Sequence, residues 1–238
     1  MEKQTVIFRD LGNVDYQAAW EYQEKLLKQN VRKKSEAGDV KDGEDIADSG
    51  TMHYLLFVEH PPVYTLGKSG NKENVLLNDE ELKEKNIQFF STNRGGDITF
   101  HGLQQIVGYP ILDLEKYYTD IGKYLRNLEE VIILTIADYG IIGGRSKGET
   151  GVWIDADITG RERKICAIGV RCSRWITMHG FAMNVNTDLS YFNNIIPCGI
   201  ENKQVTSIER ELGYKVNYEE VKEKVKNNFA KVFESELV

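Results

Sequence analysis

The stretch KICAIGVRCSRWITMHGFAMNVN, residues 164–186, decides the predicted fold. Two runs of strand-forming residues, KICAIGVRC and ITMHGFAMNVN, flank a turn of three residues. Runs of this kind joined by a short turn are typical of adjacent antiparallel strands. The segment GVWIDAD (151–157) and the turn around Thr159 and Gly160 precede them and add a third strand. The sequence therefore predicts an antiparallel meander.

Further strand and helix patterns lie on both sides of this meander. Strands are predicted at residues 4–9, 53–60, 63–67 and 87–92. Helices are predicted from Asn13 or Asp15 to about Val31, from a capping box at Asn78 to about Lys85, over residues 120–138 until Gly140 stops the helix, and from a second capping box at Asn217 to about Ser235. Together these elements predict an α+β fold in which helices flank a central mixed or antiparallel sheet.

The domain organisation follows from the absence of a break along the 238 residues. The sequence has no internal repeat and no shift in composition, so we expect residues 1–238 to form a single catalytic domain. Residues 31–50, VRKKSEAGDVKDGEDIADSG, contain many charges and glycines but few large apolar side chains. Such a segment has too little to bury, and we expect it to be a mobile loop inserted within the domain.

Composition and charge exclude several classes of protein. The formal net charge of −7 argues against a general nucleic-acid binder. The chain has no apolar run of 18 residues, so we expect no membrane span, and its first residues lack the apolar stretch of a secretory signal. Three cysteines do not form a disulfide framework, and no Cys/His spacing matches a zinc site. We therefore expect a cytoplasmic protein with reduced thiols and no bound metal.

Cys198 is the first candidate for chemistry, in the stretch NNIIPCGI, residues 193–200. Pro197 fixes its own backbone angle, and Gly199 leaves the chain after the cysteine free to turn. A thiol at a constrained turn is well placed to be a nucleophile. It can equally be an inert, half-buried cysteine, and the local sequence alone favours that second interpretation.

Other polar residues in strand-like segments leave similar alternatives open. Lys164 opens an apolar strand and is either a solvent-exposed strand end or a cation that stabilises a neighbouring thiolate. The glycines of RGGD (94–97) can offer backbone amides to a ligand oxygen, or they can form a bulge in a strand. His101 and His179 can be functional or structural histidines. Cys166 and Cys172 are predicted to be core residues.

Several motifs, taken in order along the chain, resemble a known family. They are HPPVYTLGKSG, RGGDITFHG with QIVGYPILDL, GVWI, KICAIGVR, RWITMHGFAMNVNTDLSYFNNIIPCGI and VTSIERELG. This series resembles the lipoyl(octanoyl) transferases, which are the octanoyl–acyl-carrier-protein:protein N-octanoyltransferases of lipoate biosynthesis. The resemblance covers almost the whole chain except residues 31–50 and the last helix.

The resemblance implies a fold, a reaction and a set of partners. The fold is that of the biotin-protein ligases and lipoate ligases. The reaction moves an octanoyl group from octanoyl–acyl carrier protein to the lysine of lipoyl domains in 2-oxoacid dehydrogenase E2 subunits or the glycine-cleavage H protein. An acyl-thioester forms on a cysteine on the way. The donor is already a thioester, so the reaction is expected to need no ATP and no cofactor.

The resemblance also implies roles for particular residues. The family's nucleophilic cysteine falls on Cys198, and its catalytic lysine falls on Lys164. Its substrate pocket falls on Arg94, Gly95, Gly96, Asp97, Ile98, Thr99, Phe100, His101, Ala167, Ile168, Gly169, Gly180, Phe181 and Ala182. The sequence departs from the family pattern where the usual H-G-P-G-Q is His101-Gly102-Leu103-Gln104-Gln105. We expect this change to alter the turn beside the pocket.

Three alternative functions follow from the same residues. A lipoate or biotin ligase of the same fold would activate its acid with ATP, and the presence of both Cys198 and Lys164 argues against it. A thioesterase would hydrolyse the acyl thioester of acyl carrier protein without an acceptor. A binding module would hold acyl carrier protein or lipoyl domains without turnover and would tolerate Cys198→Ser.

Overall fold

The computed structural model describes residues 3–38, 49–196 and 204–238. The helices are α1 (Tyr16–Gly38), α2 (Asp79–Glu84), α3 (Ile121–Ala137), α4 (Ile208–Leu212) and α5 (Tyr218–Val232). The strands are β1 (Gln4–Asn13), β2 (His53–Glu59), β3 (Val63–Leu66), β4 (Gln88–Ser91), β5 (Ile98–His101), β6 (Gln105–Ile111), β7 (Gly143–Gly144), β8 (Val152–Ile154), β9 (Arg163–Ser173), β10 (Ile176–Asn184), β11 (Gln204–Val205) and β12 (Ser235–Leu237). Within these residues, no helix is both long enough and apolar enough to cross a membrane.

The main sheet confirms the predicted central mixed sheet. Its strand order is β12-β1-β2-β6-β10-β9-β8-β7, and β11 pairs with β9. Strand β1 runs parallel to β12 and β2, and β11 runs parallel to β9. Each neighbouring pair in the order β2-β6-β10-β9-β8-β7 is antiparallel. The predicted meander is β8-β9-β10, in which Ile176 lies opposite Ser173 and Met183 lies opposite Cys166.

A second, three-stranded sheet has the order β4-β3-β5. The sequence predicted strands at β3 and β4 but did not separate them from the main sheet. Strand β3 is parallel to β4 and antiparallel to β5. The rings of Tyr64 and Phe100 pack in its core, 5.7 Å apart. This sheet carries His101, and its strands lead into the loop at residues 94–97.

Helices cover both faces of the main sheet. On one face, α3 and α5 contribute Leu128, Ile132 and Phe229 to a core that also contains Phe57 of β2. On the other face, α1 packs through Leu26 and its neighbours against β6 and β10. The amphipathic helix predicted over residues 120–138 is confirmed as α3, whose first turn is capped by the Asp120 side chain accepting from the Lys123 amide at 2.9 Å.

Helix α1 is longer than predicted. Asp15, one of its two predicted caps, accepts from the Gln17 amide, but the helix continues past Val31 to Gly38. The predicted loop therefore does not begin at residue 31. The Lys34 ammonium donates to Asp113 Oδ1 and to the Arg174 carbonyl, each at 2.9 Å. These tertiary contacts stabilise a turn of helix whose composition alone favours a loop. The remainder of the predicted loop, residues 39–48, lies outside the described residues.

The C-terminal helix is shorter than predicted. Its cap is confirmed, because the Asn217 side chain accepts from the amides of Glu219 and Glu220. Helix α5 ends at Val232 rather than near Ser235. Ser235 instead begins β12, which pairs in parallel with β1 opposite Gln4. The helix pattern gave no sign of this strand, because its partner lies at the other end of the chain.

Candidate functional site

The predicted site residues of the described chain surround a cavity of about 500 Å³. It lies between the main sheet, the loop at residues 94–97 and the loop at residues 148–150. Its lining includes Arg94, Gly95, Gly96, Asp97, Ile98, Thr99, His101, Lys164, Ala167, Ile168, Gly169, Gly180, Phe181 and Ala182. Phe100 does not line this cavity. Its ring stacks on Tyr191 in the core of the second sheet, with the ring centroids 4.6 Å apart.

Hydrogen bonds fix the loop at residues 94–97. The guanidinium of Arg94 is buried and donates to Thr65 Oγ1 at 3.0 Å and to the Gly95 carbonyl at 3.0 Å. The amide of Gly67 donates to the Asp97 carbonyl at 3.2 Å. The Gly95 amide donates to the Val170 carbonyl at 2.9 Å, so this amide is engaged with strand β9. The Gly95 amide is therefore engaged with the sheet, and an amide offered to a ligand by this loop stays a prediction.

The glycine at position 169 is required by the close approach of this loop. A Cβ atom there would lie 2.7 Å from the Gly95 carbonyl oxygen and 3.3 Å from Arg94 Cδ. Contacts under 3.0 Å to backbone do not occur at real Cβ atoms, so a larger residue would displace the loop. The stretch KICAIG (164–169) therefore contributes to the cavity through both Lys164 and Gly169.

Lys164 lies on the cavity wall and is partly buried. It sits opposite Trp153 in the register of β8 and β9, and its Nζ lies 4.5 Å from the centroid of the Trp153 ring. A cation over an indole face is stabilised by the ring quadrupole. Of the two interpretations of Lys164, this position disfavours the fully solvent-exposed strand end.

Cys198 lies outside the described residues. In the described chain on either side of it, Phe192 and Val205 line the cavity. Ile195 forms a bridge with Val75, and the Ile196 amide donates to the Asn74 carbonyl at 2.9 Å. Strand β11 then places Val205 opposite Lys164, where Val205 also lines the cavity. The proximity of Cys198 to Lys164 stays a prediction.

Cys166 is a core residue, as the sequence predicted, but Cys172 is not fully in the core. Cys166 is fully buried, and burial raises the pKa of its thiol far above its usual value. Cys172 is half-buried, and burial raises its pKa as well. A thiol with a raised pKa is a weak nucleophile at neutral pH, so neither residue suits thioester chemistry.

The histidines of the site are buried and uncharged. Burial, together with the nearby His60 and Arg94, holds the pKa of His101 well below its usual value. Its Nδ1 pairs with Gln105 Oε1 at 2.9 Å, and its Nε2 pairs with Thr65 Oγ1 at 3.2 Å. Burial likewise lowers the pKa of His179 to about 3. These groups are poor bases, and their hydrogen bonds favour a structural role in the cavity wall.

Sequence reasoning missed several cavity-lining residues. They are Tyr16, Gln105, Val107, Tyr109, Ile121, Leu125, Gly148, Glu149, Thr150, Val170, Asn184, Phe192 and Val205. For two of these residues, the sequence does contain a pattern that could have identified them. Gln105 and Asn184 are polar residues in otherwise apolar strands, and the Gln105 Nε2 donates to Asn184 Oδ1 at 2.9 Å. The others come from α1, α3, several strands and distant loops, where no local pattern distinguishes them.

The turn that departs from H-G-P-G-Q is held by hydrogen bonds. Gln104 has a positive φ of 61°, a conformation that glycine adopts more readily. Its amide donates to Glu59 Oε2 at 2.7 Å, and its carbonyl accepts from Thr187 Oγ1 at 2.9 Å. The Asn186 side chain also binds Gln104 Oε1. These contacts offset the strain, and the turn leads directly into the cavity-lining strand β6.

The parts of the chain that the structure describes contain no candidate metal site. Across residues 3–38, 49–196 and 204–238, no group of three or more His, Cys, Asp and Glu side chains is arranged to hold a metal ion.

Comparison with known proteins identifies the family. The model of the lipoyl protein ligase A/B catalytic domain matches residues 15–230. The chain therefore belongs to the lipoyl protein ligase A/B catalytic domain family, which confirms the resemblance drawn from its motifs. Within that family it is 58% identical over 231 residues to the octanoyltransferase of Flavobacterium johnsoniae, covering 97% of each chain. This relative confirms the predicted acyltransferase class.

Solved structures confirm the predicted fold class. A lipoate-protein ligase A bound with ATP has a TM-score of 0.66 at 13% identity, with 100% of this chain and 90% of that chain covered. The biotin protein ligase of Aquifex aeolicus in complex with biotin and ATP has a TM-score of 0.51 at 12% identity, with 98% and 71% covered. At such low identity these similarities concern the fold alone.

Proposed function

We propose that this chain transfers an octanoyl group from octanoyl–acyl carrier protein to the lysine of lipoyl domains, through an acyl-thioester on Cys198. This is the first step of endogenous lipoate biosynthesis. The observation that carries the proposal is the similarity to an octanoyltransferase over nearly the full length of both chains. The acceptors are lipoyl domains of 2-oxoacid dehydrogenase E2 subunits and the glycine-cleavage H protein. We expect the reaction in the cytoplasm, where thiols are kept reduced.

The cavity suits a medium-length acyl chain. Apolar side chains from several elements line it, among them Val107 of β6, Ile121 of α3 and Ala182 of β10. Its volume of about 500 Å³ lies in the range of small-molecule pockets, which are mostly apolar with a few polar groups. Polar contacts come from the Arg94 loop and from Lys164 at the end near β11. An acyl chain can therefore lie along the apolar wall with its carbonyl towards Lys164.

The chemistry proceeds in two acyl transfers, a thioester exchange followed by aminolysis of the acyl-cysteine. The Cys198 thiolate attacks the thioester carbonyl of the donor, the C–S bond to the carrier breaks, and the carrier takes a proton from the Lys164 ammonium and leaves as a thiol. The acceptor lysine then attacks the acyl-cysteine, an amide forms, and Cys198 leaves as a thiolate. In the second step Lys164 takes the proton of the attacking amine. A neighbouring ammonium also favours the thiolate before the first step.

Intact-mass spectrometry of the chain mixed with octanoyl–acyl carrier protein tests this proposal. One octanoyl group that hydroxylamine releases should appear on the peptide that contains Cys198. Cys198→Ala should abolish the adduct, while Cys172→Ala, which removes a half-buried thiol, should retain it. Octanoylation of Cys166 or Cys172, or of no cysteine, would refute the mechanism.

ATP dependence separates this function from that of a ligase with the same fold. Transfer from octanoyl–acyl carrier protein to a lipoyl domain should proceed at the same rate with and without ATP. Acylation of the lipoyl domain from free octanoate only when ATP is present would establish the ligase instead. If the donor thioester is hydrolysed without an acceptor as fast as it is consumed when a lipoyl domain is present, the chain is a thioesterase.

A further inference from the structure

A buried carboxylate lies beneath the loop that bounds the cavity near Lys164. Glu129 belongs to α3 and is fully buried. Its Oε1 accepts from the Gly151 amide at 3.0 Å. Its Oε2 accepts from Arg145 Nε at 3.0 Å and lies 2.7 Å from Arg126 Nη1. One side chain thus joins α3 to both ends of the loop at residues 145–151.

This loop forms part of the cavity wall. Residues 148–150 line the cavity, and Gly151 follows them with a φ of 120°. A Cβ atom at Gly151 would lie 2.5 Å from the Cys166 carbonyl oxygen and 3.6 Å from Cδ and Cε of Lys164. A side chain at residue 151 would therefore collide with strand β9 and contact the alkyl chain of Lys164, so the Gly151 backbone lies beside both. Two residues later, the Trp153 ring contacts the Lys164 ammonium.

The cost of burying the Glu129 carboxylate indicates that its contacts are specific. Burial raises the pKa of Glu129, and the Gly151 amide and the guanidinium groups of Arg126 and Arg145 oppose that shift. A buried charge is tolerated only when it is paired and hydrogen-bonded. Its neighbour Glu130 also binds Arg145, at 2.6 Å, but in an exposed pair. Both glutamates therefore bind Arg145, but the Gly151 amide donates its hydrogen bond to Glu129.

We propose that Glu129 is a positioning residue for acyl transfer, because it fixes Gly151 and through it the direction of the Lys164 side chain. This inference rests on the proposed function, in which Lys164 carries a proton. A lysine side chain has many rotamers, and holding it in one orientation makes proton transfer more probable. A wall on one side of its alkyl chain and an indole ring at its ammonium restrict those rotamers.

Three variants test the proposal in single-turnover transfer from the acyl-enzyme to a lipoyl domain. Glu129→Ala removes the acceptor for the Gly151 amide and should slow transfer by about 100-fold, the loss expected from a misplacement of about 1 Å. In steady-state assays of this variant, the KM for octanoyl–acyl carrier protein should change much less than kcat. Glu129→Gln keeps an oxygen for the Gly151 amide and should retain transfer within about threefold of wild type. Glu130→Ala is the matched control and should behave as wild type.

A double-mutant cycle separates positioning from general stability. If Glu129 acts through Lys164, adding Glu129→Ala to Lys164→Ala should slow transfer by less than about threefold further. A full additional loss in that background would show that Glu129 acts through the fold, and it would overturn the inference. Transfer by Glu129→Ala within about threefold of an active wild type would overturn it as well. A wild-type chain that transfers no octanoyl group would refute the proposed function and the inference together.

Folding of the variants is checked by thermal unfolding. If Glu129→Ala does not fold, Glu129→Gln decides alone. A lowered melting temperature with kcat within about threefold of wild type supports positioning through the Gly151 amide, and a loss of kcat above about tenfold overturns it.

Discussion

Lys164 is the residue at which the proposed mechanism can be tested most directly. Lys164→Arg keeps a positive charge but cannot release its proton at working pH. It should preserve part of the self-acylation of Cys198 and slow transfer to the lipoyl domain much more. Lys164→Ala should impair both steps. General acid–base assistance is worth about 10²–10⁴-fold, so the losses should fall in that range. Single-turnover assays of each half-reaction measure them.

The control for these variants is Lys215→Ala. Lys215 is exposed in the loop between α4 and α5, and both half-reactions should keep their wild-type rates. If Lys164→Arg and Lys164→Ala each lose less than about threefold in both half-reactions, Lys164 is not the proton carrier.

Gly169 offers a second test at the level of one residue. A methyl group there would lie 2.7 Å from the Gly95 carbonyl, so Gly169→Ala should push the loop at residues 94–97 away from β9. Overpacking of this kind costs about 1–3 kcal/mol. We expect a higher KM for octanoyl–acyl carrier protein and a lower melting temperature. Gly144→Ala is the control, because a Cβ there meets no atom within 4 Å. Equal KM values for the two variants would contradict the prediction.

The sequence identified site residues that belong to short motifs, and its one misplaced lining residue had a local cause. Successive side chains of a strand point to opposite faces. Thr99 and His101 of β5 line the cavity, whereas the side chain of Phe100 between them packs in the core of the second sheet. Carrying over the whole motif RGGDITFH ignored this alternation. Tyr16 and Tyr109 could not be found in this way, because only the fold brings α1 and β6 to the same cavity.

At the level of elements, the last two turns of α1 are predicted to contribute to stability. The side chains of Lys34 and Asp113 are 12% and 2% exposed, and the Lys34 ammonium also binds Glu115. Lys34→Ala would leave the Asp113 carboxylate buried with one partner fewer, and breaking a buried pair costs about 3–5 kcal/mol. Urea denaturation at neutral pH should show a loss of this order in the free energy of unfolding.

Arg32→Ala is the matched control for this helix. Arg32 pairs with Glu36 on the same helix, but the two side chains are 81% and 59% exposed. Such pairs contribute at most about 0.5 kcal/mol. A loss for Lys34→Ala as small as that for Arg32→Ala would mean that residues 31–38 contribute no more than an exposed surface helix.

The elements missed by the sequence share a physical reason. Residues 31–38 are helical because Asp113 and Arg174, far along the chain, bind Lys34 and Ser35. Strand β12 exists because β1 offers it a parallel edge. Periodicity and caps report only local preference, and they predicted α2, α3 and the meander well. Contacts between distant segments carry no local pattern, so the length of α1 and the existence of β12 required the structure.

At the scale of the whole molecule, the separation into two sheets was also beyond the sequence. Strand patterns place residues 63–66, 88–91 and 98–101 in strands but do not say which strands pair. The structure places His60 at the end of β2, before the chain enters the second sheet, and His101 at the end of β5. The rings of His60 and His101 lie 5.9 Å apart at this junction. The junction between the sheets therefore concentrates uncharged histidines in the interior.

These histidines predict how the stability of the whole fold depends on pH. His60, His101 and His179 are 0%, 5% and 1% exposed, and burial lowers the pKa of His60 to about 4 and that of His179 to about 3. In the unfolded chain each histidine titrates near pH 6.5. Below that pH the unfolded state binds protons that the folded state does not, so the free energy of unfolding falls as pH falls.

The expected loss between pH 7 and pH 5 is about 2 kcal/mol for each of these histidines. Most carboxylates remain ionised over this interval, so the histidines dominate the change. Urea denaturation at pH 7, 6 and 5 measures this loss. The slope of the free energy of unfolding on urea concentration should be the same at each pH, as expected for an unchanged two-state transition.

His60→Gln removes one of the three groups, together with the hydrogen bonds of its ring to the Val14 carbonyl and the Tyr109 hydroxyl. It should lower stability at pH 7 and reduce the loss from pH 7 to pH 5 by about a third. A free energy of unfolding that stays level from pH 7 to pH 5 would show that these histidines can be protonated in the folded protein.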